Sequence, residues 1–228
     1  MRKVCLLLHG FTGGPHELWP LAEALVRDGY TAIVPTLRGH NRNKCELKAA
    51  RHTDWIADAD RYVKLALRKA DWIDLVGFSM GGLLAAYAAN RHRVRRLVLI
   101  SAAVIYISPR RFARELMGMI RDRNFDHFVK ARGTPVSAVL EFARLARRLR
   151  PEIPRLKVPT LIVQGDQDHI VHPLSARWIC SRITAPKELI MVPGARHLVL
   201  LDKQAELAIQ AVRRFLNEPE RIEGEAPL

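Results

Sequence analysis

A chain of 228 residues with 49% hydrophobic composition is long enough to close one large core, and a single globular domain spanning residues 1–228 is expected. No apolar stretch approaches the roughly 20 residues of a membrane span, and the early apolar run from Val4 to Leu8 stops at His9-Gly10, short of a signal-peptide pattern. The formal net charge of +14 rests largely on arginine, 28 of the 37 basic residues, scattered along the chain with few aromatics among them; a base-stacking groove would want that interleaving, so no specific nucleic-acid partner is expected.

Six apolar runs of strand length follow one another: Val4 to Leu8, Thr31 to Val34, Ile73 to Val76, Leu97 to Ser101, Thr160 to Val163 and Glu188 to Val192. Most are continuous rather than alternating, the pattern of strands covered on both faces. Between them lie helical spacings: Leu18, Leu21, Leu25; Trp55, Ala59, Tyr62, Val63, Ala66; Leu83, Leu84, Tyr87; and Ala208, Ala211, Val212, Phe215. This βαβα order predicts an α/β fold, a mostly parallel six-stranded sheet with helices on both faces and right-handed crossovers. From Val104 to Pro159 there is helical spacing (Phe112, Leu116, Met119, Ile120; then Val139, Phe142, Ala143, Ala146) but no strand, which predicts a small helical cap inserted at about 104–155. Residues 217–228, rich in Glu and Pro, read as a flexible tail. The three cysteines, Cys5, Cys45 and Cys180, have no CxxC pairing; neither a disulfide framework nor a zinc site is suggested, and a reducing, cytoplasmic setting is expected.

In an open α/β sheet the chemistry gathers beyond the carboxyl ends of the strands. Four of the six runs end there in reactive or glycine-rich segments: His9-Gly10-Phe11-Thr12-Gly13-Gly14, Gly77-Phe78-Ser79-Met80-Gly81-Gly82, Gly165-Asp166-Gln167-Asp168 and Gly194-Ala195-Arg196-His197. Gly77 to Gly81 matches GxSxG, the nucleophile elbow, and it stands in the strand–turn–helix context that such an elbow requires. A serine hydroxyl attacks only when a base takes its proton, and the base needs a third group to fix its tautomer. Among nine histidines, His197 is the one placed in the loop after the last strand, and Asp168 is placed to reach it from the loop before. Asp166 competes for the acid role; its position at the start of the loop suits backbone hydrogen bonding in the turn. Acyl chemistry also needs donors for an oxyanion, and the backbone N–H groups of Phe11 and Met80 are the candidates. HGFTGG contains neither GxxxxGK[ST] nor GxGxxG, so a phosphate loop is set aside. His40 is read as a loop hydrogen-bonder and Trp55 as helix packing. Phe112, Leu116, Met119 and Phe142 either line an acyl pocket or hold the cap together. His169 and His172 lack companion ligands, and no metal and no cofactor are assigned.

Taken in order, HGFTG, GYTAIVPTLRGH at 29–40, GFSMGG, LIVQGDQDHIVHP at 161–173 and the late GARHLVLLD resemble the small carboxylesterases of thermophilic bacilli and, more distantly, the bacterial monoacylglycerol lipases of the α/β-hydrolase class. The resemblance runs from residue 4 to about 216. It implies an α/β-hydrolase fold with the acid supplied by Asp168, an oxyanion amide by Phe11 and a short cap at roughly 104–155; the sequence departs from larger relatives in starting directly at what would be the first core strand, so a minimal sheet is expected. The function implied is hydrolysis of carboxylic esters, small-molecule substrates, through an acyl-enzyme on Ser79 with His197 as base and Asp168 as acid; the cap, only about fifty residues long and rich in arginine, points to short- to medium-chain acyl groups. The alternatives are a monoacylglycerol lipase, thioesterase or acyltransferase on the same triad, or a silent ligand-binding protein on this scaffold. An aspartate-nucleophile dehalogenase or epoxide hydrolase is set aside by Ser79.

Overall fold

The computed structural model describes residues 3–41, 44–104 and 134–219, with the backbone alone at 44 and 45. Six strands form one sheet: β1 (Lys3–Leu8), β2 (Tyr30–Ile33), β3 (Ile73–Phe78), β4 (Val94–Ile100), β5 (Thr160–Gly165) and β6 (Lys187–Val192). Every pairing is parallel, in the order β2-β1-β3-β4-β5-β6. The chain leaves β1 for β2 on one side and returns across β1 to β3 on the other, so the winding reverses between β1 and β3. Ligand crevices form at such a switch point.

The continuous apolar runs exist because both faces of the sheet are covered. From β1, Val4, Leu6 and Leu8 enter one core while Cys5 and Leu7 enter the other; β4 divides in the same way, Leu97 and Leu99 against Val98 and Ile100. On the second of these faces lie α1 (Trp19–Arg27) and α7 (Ala205–Asn217). On the first lie α2 (Lys44–Ala49), α3 (His52–Leu67), α4 (Met80–Ala89), α5 (Val136–Leu149) and α6 (Leu174–Arg182). Cys5 is fully buried, and burial pushes its thiol well up, as befits a packing residue.

Residues 105–133 of the predicted cap, including Phe112, Leu116 and Met119, lie outside the described residues. The described part is α5 and the 3-10 turn Arg150–Arg155. The inner stripe of α5, Ala138, Phe142, Leu145, Ala146 and Leu149, is buried against the sheet-covering helices. Each such leucine, fully buried, contributes roughly 1.5–3 kcal/mol. Glu141 ties α5 to the start of α3: it accepts from the His52 N–H at 3.0 Å and lies 2.6 Å from His52 Nδ1. Those bonds, with the Arg144 guanidinium, hold its carboxyl at about 2. Trp55 packs as expected and adds a bond, Nε1 donating to the Arg38 carbonyl at 2.9 Å.

The tail expected from 217 requires correction at its first residue. Asn217 closes α7, and its amide donates to Asp28 Oδ2 and to the Arg213 carbonyl, 3.0 Å each, which fastens the helix end; residues 220–228 of the expected tail lie outside the described residues. At the amino end of the sheet, Asp74 of β3 is fully buried and receives Arg95 of β4 at both oxygens (3.0 and 2.5 Å), with the Tyr30 hydroxyl 3.0 Å away. Arg95 and Arg96 also donate to the carbonyls of Leu216 and Phe215, where the negative end of the α7 dipole favours cations. No helix among the described residues is long and apolar enough to cross a membrane.

Candidate active site

Ser79 sits between β3 and α4 with φ 52° and ψ −113°, a backbone state that costs a non-glycine residue about 1–3 kcal/mol and persists only when its surroundings over-determine it. They do so here. Ser79 N–H donates to the Ile100 carbonyl at 2.8 Å, and its own carbonyl accepts from Gly82 at 3.0 Å and Ala103 at 3.3 Å. The two glycines of the motif are required by close approach: a Cβ on Gly77 would stand 2.3 Å from the Gly81 carbonyl oxygen, and one on Gly81 2.0 Å from that of Leu8. The elbow is thereby pressed against the end of β1, which carries the HGFTGG loop.

His197, in the loop after β6, lies with Nε2 3.1 Å from Ser79 Oγ and Nδ1 2.8 Å from Asp168 Oδ2. With Asp168 ionised, this is the tautomer in which Nδ1–H donates to the carboxylate and Nε2 is left to accept from the serine hydroxyl. The Phe78 ring packs against the imidazole at 5.0 Å, and Ser101, at the end of β4, donates to the His197 carbonyl at 3.3 Å. Asp168 is buried. Burial alone would raise its carboxyl; the charge and hydrogen bond of His197 and the amides of Val171 and Ile170, each 2.8 Å from Oδ1, outweigh it and hold the group below its ordinary value. Asp166 is exposed, points away from this chain of bonds and accepts from the Gly194 N–H at 2.7 Å, the turn role expected of it.

Phe11 follows β1 and Met80 opens α4, so both candidate oxyanion amides lie at loops that meet at the elbow. Met80 N–H belongs to the first turn of a helix, where amides have no intrahelical acceptor and the dipole favours negative charge. The loop carrying Phe11 is held from beneath: Gly10 N–H donates to Glu17 Oε2 at 3.0 Å, and His9 lies between Gly10 and Leu37, with Nδ1 2.9 Å from the Gly10 carbonyl and Nε2 accepting from Leu37 N–H at 3.0 Å. Burial, reinforced by neighbouring His40, pushes the His9 imidazole down to about 3 and keeps it neutral. His40 is likewise pushed down by burial, to about 4, and lies 3.0 Å from the Arg38 carbonyl, the loop hydrogen bond the sequence suggests. Phe142 of α5 stacks on Phe11, centroids 4.9 Å apart, so α5 packs over the loop that follows β1.

Sequence reasoning leaves out two neighbours of this arrangement. Gln164, the last-but-one residue of β5, is fully buried and its amide nitrogen lies 2.8 Å from Asp168 Oδ2. Ser101 is the other, with φ 46°. In each case the available signal is a polar residue directly after an apolar run, Leu97 to Ile100 for Ser101 and Leu161 to Val163 for Gln164.

A model of the alpha/beta hydrolase family matches residues 5–211 of the chain. Among curated proteins, the chain is similar to a thermostable monoacylglycerol lipase of Bacillus sp. (strain H-257), 29% identical over 92% of this chain and 88% of the relative. It is also similar to a carboxylesterase of Bacillus subtilis (strain 168), 27% identical over 95% and 93%. Among solved structures, one described under LipS and LipT, two metagenome-derived lipolytic enzymes, superposes with a TM-score of 0.81 at 31% identity, covering 94% of this chain and 93% of the other.

Proposed function

The chain belongs to the alpha/beta hydrolase family and is an ester-hydrolysing enzyme, and we propose that it is a serine carboxylesterase acting on short- to medium-chain esters through an acyl-enzyme on Ser79. The observation that carries this reading is the unbroken chain from Ser79 Oγ through His197 to Asp168 at 3.1 and 2.8 Å. His197 Nε2 takes the hydroxyl proton as Ser79 Oγ attacks the ester carbonyl. The oxyanion of the tetrahedral intermediate rests on the N–H groups of Phe11 and Met80. Imidazolium at His197, stabilised by ionised Asp168, then passes the proton to the departing alkoxide. Water repeats the sequence on the acyl-enzyme and frees the acid.

Chain length follows from how much of the acyl group stays covered, since each buried methylene contributes up to about 0.8 kcal/mol. The described part of the cap presents Arg144, Arg147 and Arg148 outward, which suits a modest pocket better than a broad lipid-facing rim. The similarity to a monoacylglycerol lipase supports a second reading, in which the acyl group is longer. A fluorophosphonate probe should label the enzyme at Ser79 and fail on Ser79→Ala. On p-nitrophenyl esters, kcat/KM is expected to rise from acetate, peak between butyrate and octanoate, and fall at palmitate. A peak at palmitate, or a jump once substrate passes its solubility, replaces the short-chain reading with the lipase one.

A further inference from the structure

Gln164 stands one residue before the end of β5, in the run Thr160-Leu161-Ile162-Val163-Gln164-Gly165, and is fully buried. An apolar side chain would satisfy the packing there. The glutamine instead presents its NH2 to the Asp168 carboxylate at 2.8 Å, with the carbonyls of Gly165 at 3.3 Å and Val171 at 3.4 Å as further acceptors. Its Oε1 has no hydrogen-bond partner among the described residues. Turning the amide over would set Oε1 against an ionised carboxylate, so the orientation is fixed by Asp168 even though a buried acceptor is left unpaired.

The oxygen that Gln164 reaches is Oδ2, the one that also receives His197 Nδ1. The other oxygen is taken by the amides of Ile170 and Val171. Asp168 therefore has its orientation set from three sides: its own loop, strand β5 and His197. The loop amides fix one oxygen only; without Gln164, Oδ2 is held by His197 alone, the group it has to align, and nothing on the sheet opposes a pivot about Oδ1. The ionisable groups around this carboxylate are His197, from the loop after β6, and, on its own loop, Asp166, which is exposed and bonded to the Gly194 amide, and the exposed His169 and His172.

We infer that Gln164 is a positioning residue of the proposed esterase, holding Asp168 Oδ2 in line with His197 Nδ1. The inference rests on the triad reading above. It adds that the hydrogen-bonded chain extends one residue further into the sheet, on a strand rather than a loop. A donor on Oδ2 also draws charge from the oxygen that faces His197 Nδ1.

Two isosteric variants test this. Gln164→Met keeps the volume and loses the donor; kcat is expected to fall about tenfold with KM nearly unchanged, because the alignment matters most once charge develops on His197. The His197 titration, followed by NMR of the ring, should move upward as Oδ2 regains charge. Gln164→Glu donates only while its carboxyl is protonated and repels Asp168 once ionised, so its kcat/KM should decline toward alkaline pH relative to that of the parent. Thermal unfolding of both variants establishes that they are folded. A folded Gln164→Met with parental kcat and an unmoved His197 titration overturns the inference. So does a loss of activity that tracks stability alone, with the alkaline limb of Gln164→Glu like that of the parent. The NMR titration needs no turnover, so it decides the role of Gln164 separately: if the parent fails to label at Ser79 it is the esterase reading that falls.

Discussion

The two ends of the sheet are built on opposite terms. At the carboxyl end, three non-glycine residues, Thr12, Ser79 and Ser101, hold positive φ, and the buried side-chain atoms without a partner among the described residues, His40 Nε2, Gln164 Oε1 and Gln204 Oε1, all lie in or beside the loops there. At the amino end, Asp74, Arg95 and Tyr30 form a closed set of bonds that takes in the end of α7. Among the described residues, non-glycine strain and unmet polar groups gather at the end that carries the proposed site, while the opposite end is closed by paired charges that can supply the stability they draw on.

The sharpest way to test that division is to alter each end and read both activity and stability. Ser79→Ala and His197→Ala should each lower kcat by about 10⁴-fold or more while leaving the melting temperature within a few degrees of the parent. Asp168→Asn should cost far more than Asp166→Asn; the reverse order in a steady-state assay would transfer the acid role to Asp166. At the amino end, Arg95→Met strands the Asp74 carboxylate in the core, and a loss of roughly 3–5 kcal/mol is expected from breaking such a buried pair. Denaturant unfolding measures it, with kcat of the folded fraction unchanged. A variant as stable as its parent would mean that the ion pair does not anchor the sheet.

A smaller effect follows from the two buried histidines. The folded values of His9 and His40, about 3 and 4, lie below that of a free imidazole. The unfolded chain therefore binds protons first. Their contribution is complete above about pH 6.5 and is lost as pH falls toward the folded values, by roughly 2–3 kcal/mol per histidine at about pH 4.5. Urea midpoints at the two pH values should differ accordingly, and the difference should shrink in His40→Gln. The smallest change is Trp55→Phe, which leaves the Arg38 carbonyl with His40 as its side-chain partner and should cost about 1 kcal/mol; no measurable change in unfolding would mean that the Trp55 bond adds nothing to stability.

The sheet was legible because its strands are apolar on both faces, and the six runs coincide with the six strands to within a few residues. The largest discrepancy is β4, which begins at Val94 rather than Leu97. Two consecutive arginines, Arg95 and Arg96, read as surface, and only the fold brings Asp74 and the α7 carbonyls to meet them. Ser79, Asp168 and His197 were legible for a different reason: each closes a strand within a recognisable loop. Gln164 and Ser101 carry no such spacing. Their roles come from partners 4 and 96 residues away, and a single polar residue at a strand end does not announce which partner the folded chain will offer.

The described ends of the chain meet on one side of the molecule: Lys3 Nζ donates to Asn217 Oδ1 at 3.1 Å. A short linker joining β1 to α7 would therefore disturb little, and new ends opened in the exposed turn at 68–71, between α3 and β3, would cut no strand. The rejoined protein would start at β3, so that Ser79, Asp168 and His197 came first and the loop of Phe11 followed them. Nothing in the geometry at the switch point between β1 and β3 depends on the order in which the ribosome delivers its parts.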